Sequence, residues 1–160
     1  MSGRYLEDFA VGQTFGSGRV HVDRDRIKSF AAEFDPQPFH LDEESARNSI
    51  FGGLAASGWH TAAITMKLLV EGELKPVGGI VGAGFDDFRW PKPVRPGDEL
   101  RVESEILEVR PSKSRPNQGM IKVRTTLDPC HRLPHTRPRA VEMPILCVDR
   151  RMSVPCPSPL

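Results

Sequence analysis

The chain has 160 residues, a formal net charge of +1 and 27% charged residues. That length suits one domain able to bury a core without disulfide or metal staples. The charge balance argues against a general nucleic-acid binder or a membrane-surface protein, either of which would carry a basic stripe or block. No apolar run approaches the length of a membrane span, and the opening MSGRYLEDF lacks the apolar stretch of a signal peptide. An odd number of cysteines, three, fits a reducing cytoplasm better than a disulfide framework.

Tyr5 to Val22 alternates short apolar runs with glycines and reads as one or two strands with turns. Asp23 is placed to cap a helix, with Val22 and Ile27 as its hydrophobic staple. Ile27, Phe30, Ala31 and Phe34 form one helical stripe, and Pro36 and Pro38 stop the helix. A short helix follows from Asp42 to about Asn48, capped by Asp42. After the small-residue run 52–58, Trp59–Glu71 is apolar on almost every face and predicts a wholly buried helix ending at Gly72.

Beyond Gly72 the pattern changes to that of strands. Gly79–Trp90 predicts one strand. Leu100, Val102 and Ile106 mark a second, opened by a Pro96-Gly97-Asp98 turn. Ile121, Val123, Thr125 and Leu127 alternate in a third, with Pro116–Gly119 as the hairpin between them. Ala140–Arg150 reads as a last strand, weakened by Pro144. Helices first, then a run of antiparallel strands, make an α+β layout with a sheet wrapped on a central helix. All eleven aromatic residues lie at or before Trp90, and all three cysteines lie after residue 128. Residues 1–128 therefore read as the domain and 129–160 as a divergent Pro/Cys-rich tail, with a final strand near 140–150. Local divergence and a shifted reading frame are both compatible with that tail.

Two segments stand out for chemistry. In Asp35-Pro36-Gln37-Pro38-Phe39-His40, prolines stiffen the backbone between an acid and a histidine, so both side chains are held at low entropic cost. Such a pair can hold and exchange a proton. The alternative is that Asp35 merely ends a helix and His40 bonds to backbone. In Ser57-Gly58-Trp59-His60, the start of the apolar helix presents free N–H groups to an approaching ligand, as an oxyanion hole does. The alternative is that Ser57 caps and Gly58 packs.

Together these residues resemble the MaoC-like dehydratase family, which includes the (R)-specific enoyl-CoA hydratases. The family pattern is roughly Ser-Gly or similar, then Asp-x-Asn-Pro-x-His, then a small-residue loop and a glycine at a helix start. Here Asp35, Gln37, Pro38 and His40 stand in register, followed by Phe51-Gly52-Gly53 and Ser57-Gly58. Phe88-Arg89-Trp90-Pro91 and Pro93–Leu100 are similar to a later segment of the family. The sequence departs from the pattern where Gln37 replaces the asparagine and Glu33-Phe34 replaces a Ser-Gly. The resemblance spans about residues 5–127 and implies a hot-dog fold, usually a homodimer. It implies addition or removal of water at the double bond of an enoyl thioester carried by coenzyme A or an acyl carrier. Asp35 and His40 would activate the water, and the Gly58 N–H would bind the thioester carbonyl. Ser57, Gly53, Gln37, Trp59 and Trp90 would complete the substrate site. No cofactor or metal is implied.

Two other readings keep the fold: a thioester-binding module without turnover, and a thioesterase. Cys130, His131, His135, Cys147 and Cys156 match no standard zinc spacing. His21 and His60 read as structural or surface groups, and Trp59 and Trp90 as core or pocket wall. Lys92, Arg95 and Arg110–Arg115 suit either the phosphates of a coenzyme A tail or a solvated basic loop.

Overall fold

The structure, a computed structural model, describes residues 3–129 and 139–150, with 129 and 139–149 described by backbone alone. In chain order it contains β1 (Thr14–Gly16), β2 (Val20–His21), α1 (Arg24–Phe34), α2 (Pro38–Leu41), α3 (Glu43–Arg47), α4 (Gly58–Glu71), β3 (Val81–Gly82), β4 (Asp87–Phe88), β5 (Glu99–Pro111), β6 (Gln118–Pro129) and β7 (Arg139–Asp149). The strands form one antiparallel sheet in the order β1-β5-β6-β7-β3, with β2 also on β5 and β4 also on β7.

The inner face of the sheet follows from the period-2 pattern of β5 and β6. Leu100, Val102, Ser104 and Ile106 are buried on β5, and Ile121, Val123, Thr125 and Leu127 on β6. Ser104 and Thr125 lie opposite each other, and their hydroxyls, 3.0 Å apart, satisfy one another inside this apolar face. The central helix α4 packs on β5, with Ile64, Leu68 and Leu69 joining the same core as Ile106 and Ile121. Each such side chain contributes about 1.5–3 kcal/mol by leaving water. This is the hot-dog arrangement that the resemblance implies, and the α+β class holds.

Three local expectations need correction. The 79–90 segment is not one strand: it holds β3 and β4, separated by a stretch containing Gly84 at φ 152°. The helix α4 is not wholly buried, since Trp59 is 65% and Val70 56% exposed. Among the described residues, that side of the helix is left largely uncovered. The expected stop at Pro36 and Pro38 holds, and Pro38 then occupies the first position of α2, where a missing amide donor costs nothing. The hairpin turn lies before Gln118, because Gln118 and Gly119 already pair in β6. The backbone of 139–149 forms β7 beside β6, with Pro144 opposite Lys122.

Candidate active site

Helix α1 begins where Asp23 accepts hydrogen bonds from the amides of Asp25 and Arg26, and its apolar Ile27 and Ala31 are fully buried. It ends at Asp35, whose amide still donates to Ala31 O at 2.9 Å while Pro36 blocks another turn. The single turn of α2 then lifts His40 into the core, where the residue is 4% exposed and packs edge-on against Phe39. Asp42 closes that turn and caps α3 by accepting from the Ser45 amide.

His40 Nδ1 lies 2.7 Å from the carbonyl oxygen of Ala55. A carbonyl only accepts, so Nδ1 carries the proton. In the neutral ring the lone pair therefore sits on Nε2, which faces Asp35 Oδ2 at 3.4 Å. The other partners of Asp35 are donors. Gln37 Nε2 donates to Oδ1 at 2.7 Å, and the Ser57 hydroxyl donates to Oδ2 at 2.6 Å. The hydrogen bond from Ser57, with help from Gln37 and the neighbouring His40, holds the Asp35 carboxyl below its ordinary range despite some desolvation. The longer amide at position 37 thus still reaches the acid.

Ser57 is also the N-cap of α4: its oxygen accepts from the Trp59 amide at 3.2 Å. One hydroxyl ties the Asp35–His40 pair to the leading end of the central helix. Gly58 is the first residue of that helix, and its N–H has no intrahelical acceptor. A Cβ on Gly58 would lie 2.8 Å from Trp90 Nε1, so the Trp90 ring closes over the helix start only because the residue is glycine.

Asp35, Gln37, His40, Ser57, Gly58 and Trp90 thus come together. Gly53 stands apart from them. Its φ is 153° and its carbonyl oxygen accepts from Arg95 Nη1 at 2.6 Å. Trp59 is neither core nor enclosed: it is 65% exposed, with its ring 6.3 Å from that of Phe88. Trp90 is 40% exposed, and its ring meets Phe88 edge-on at 4.2 Å. His21 is exposed. His60 is buried and stacks on Phe30 at 4.7 Å, yet its Nδ1 has no hydrogen-bond partner among the described residues. Burial, with Arg26 nearby, lowers its pKa.

Sequence reasoning missed two groups. The Ala55 carbonyl, which sets the His40 tautomer, is a backbone atom with no side-chain signature. Arg95 is engaged with backbone carbonyls of residues 51–54 rather than left as a solvated basic loop. Among the described residues there is no metal-binding group of three or more His, Cys, Asp or Glu, and no helix long and apolar enough to cross a membrane. Cys130, His131, His135 and Cys156 lie outside the described residues, as does the Cys147 side chain.

Comparison with known proteins agrees with this fold. The sequence profile of the MaoC like domain matches residues 8–127. A crystal structure of the MaoC-like dehydratase from Rhodospirillum rubrum superposes with a TM-score of 0.84 at 51% identity, covering 93% of this chain and 99% of that one. The YdeM protein of Bacillus subtilis is 39% identical over 109 residues, 68% of this chain and 77% of its own. The 3-hydroxybutyryl-CoA dehydratase of Methylorubrum extorquens is 31% identical over 111 residues, 69% of each chain. With most of the chain matched by the profile and by close structural likeness, this protein belongs to the MaoC-like dehydratase family.

Proposed function

We propose that the protein is a hydratase or dehydratase acting at the 2,3 double bond of an enoyl thioester. The observation that supports this reading is the Ser57 hydroxyl on Asp35 Oδ2, 2.6 Å away, which ties the Asp35–His40 pair to the start of α4. In the hydration direction, a water held by Asp35 and His40 gives its proton to the bare Nε2 of His40. The water oxygen bonds to C3 as the C2–C3 π electrons move toward the thioester oxygen. Ionised Asp35 stabilises the imidazolium that forms. The developing charge on the thioester oxygen is met by the Gly58 N–H and the positive end of α4. The imidazolium then returns a proton to C2 and regenerates the base. Dehydration runs the same steps in reverse. The net change is one water, with no electron transfer that would call for a redox cofactor.

Gln37 holds Asp35, Gly53 shapes the adjoining loop, and Trp59 and Trp90 wall the entrance for an acyl group on coenzyme A or an acyl carrier. We also propose that two copies pair as a homodimer across the exposed aromatic surface, with neither nucleic acid nor membrane as a partner.

The test follows the absorbance of the conjugated thioester with crotonyl-CoA and longer or branched enoyl-CoAs. Asp35→Ala and His40→Ala are each expected to lower kcat by about 10²–10⁴-fold, the usual share of a general acid or base. Turnover that survives both substitutions places the chemistry elsewhere. Thiol release without loss of a double bond identifies a thioesterase, and binding without turnover of any thioester identifies a binding module.

A further inference from the structure

The 51–56 loop carries the Ala55 carbonyl that takes the His40 Nδ1 proton, and the loop is held from outside by the turn that opens β5. Arg95 Nη1 donates to Gly53 O at 2.6 Å and to Leu54 O at 3.2 Å, and its Nη2 donates to Phe51 O. The next residue back along the turn completes the clamp, since the Ala56 amide donates to Val94 O at 2.8 Å. The turn itself is tied down. The Arg95 amide donates to Asp98 Oδ2 at 2.9 Å, and the Asp98 carbonyl accepts from the Val22 amide at 2.8 Å. Ala55 is fully buried between the two anchored ends. Gly53 fits this arrangement twice over: its φ of 153° disfavours a side chain, and a Cβ would lie 3.2 Å from Arg95 Nη1.

We propose that Arg95 is a positioning residue that sets the tautomer of His40 through the Ala55 carbonyl. A planar guanidinium satisfies several carbonyls at once in a fixed geometry, which an ammonium does not. Without it, the carbonyls of Phe51, Gly53 and Leu54 lose their donor and the loop relaxes. The Ala55 oxygen then leaves the line of Nδ1–H. An imidazole released from that acceptor favours the Nε2–H form. In that form Nε2 donates to Asp35 and has no lone pair for water. Displacement on the scale of an ångström is enough to disable a proton-transfer site.

The proposal rests on the reading of His40 as the base, so its test uses a readout that needs no substrate. Long-range proton–nitrogen NMR on the histidine-labelled, ligand-free protein, at a pH where His40 is neutral, reports which ring nitrogen is protonated. Wild type is expected to show Nδ1–H. Arg95→Met, which keeps the stem and removes every donor, is expected to shift His40 toward Nε2–H. Its kcat with an enoyl-CoA is expected to fall about 10–100-fold, with KM within about threefold. Arg95→Lys retains one point donor and is expected to show a mixture of tautomers and an intermediate kcat. A folded Arg95→Met protein that keeps His40 as Nδ1–H overturns the proposal. If Arg95→Met does not fold, a folded Arg95→Lys protein with pure Nδ1–H overturns it equally. A tautomer shift in a protein that hydrates no thioester would uphold the coupling and sink the catalytic reading, so the two failures are separable.

Discussion

At the residue scale, the Asp35 carboxyl is held below its ordinary range by the groups around it. Its largest stabiliser is the Ser57 hydroxyl, and its proton is bound more weakly in the folded chain than at the ordinary value of 3.8. A carboxyl with a depressed folded pKa adds stability above its unfolded value. It loses that contribution as pH falls through the lower folded value. Ser57→Ala removes the hydrogen bond and also the cap of α4, the latter at about 1 kcal/mol. The gap in Tm between wild type and Ser57→Ala should be widest near neutral pH. It should narrow below pH 3.8, leaving the cap contribution behind. A pH-independent gap in thermal melts would show that Ser57 acts on the helix alone. Much of this site was legible in the residues themselves, because an acid and a histidine on a proline-stiffened segment limit what the backbone can do. Yet the plainer reading of that segment holds without opposing the proposed one. Asp35 does end α1 and His40 does bond to backbone, and that backbone bond is what bares Nε2.

At the element scale, the start of α4 works as a unit with the segment that follows β4. Gly58 admits the Trp90 ring at a distance no Cβ tolerates. Gly58→Ala should therefore displace Trp90 or push back the helix start, lowering kcat about 10–100-fold through misplacement of the N–H donor. Trp90→Ala opens the space. The double variant should accordingly lose less than the sum of the two single losses, in a cycle of steady-state kinetics. Additive losses would mean that the two residues act independently. The helices were legible from caps and stripes, but their surroundings were less so. Proline at position 38 reads equally well as a stop or as a first helical residue, and only the packing of His40 decides between them. Arg95 was opaque for another reason. Its acceptors are carbonyls 41–44 positions away, and a carbonyl has no residue type to recognise. The split of 79–90 turns on glycine conformations that an alternating pattern does not display.

At the scale of the whole molecule, the two edges of the sheet differ. Along the β1 edge the aromatic surface is covered: Phe15 is buried, and the Arg4 guanidinium lies 4.8 Å over its ring. Along the β3 and β4 edge, Val81 and Phe85 are each 52% exposed, and Trp59 and Trp90 lie beside Phe88. Among the described residues that edge is open next to exposed aromatics, an arrangement that invites another strand. The apolar character of α4 on nearly all faces has the same explanation. Its inner face meets the sheet, and Trp59 and Val70 stay exposed, on the surface proposed for a second copy. Sequence periodicity counts apolar positions without saying whether anything covers them, which is why the helix looked wholly buried. Trp59→Glu places a charge on that surface without touching the core. The expected result in sedimentation velocity is a dimer for wild type and a folded monomer for Trp59→Glu, with hydration lost alongside because Trp59 is also proposed to wall the entrance for the acyl group. A wild-type monomer, or a Trp59→Glu dimer as tight as wild type, would place the partner elsewhere and leave the exposed aromatics to the acyl substrate alone.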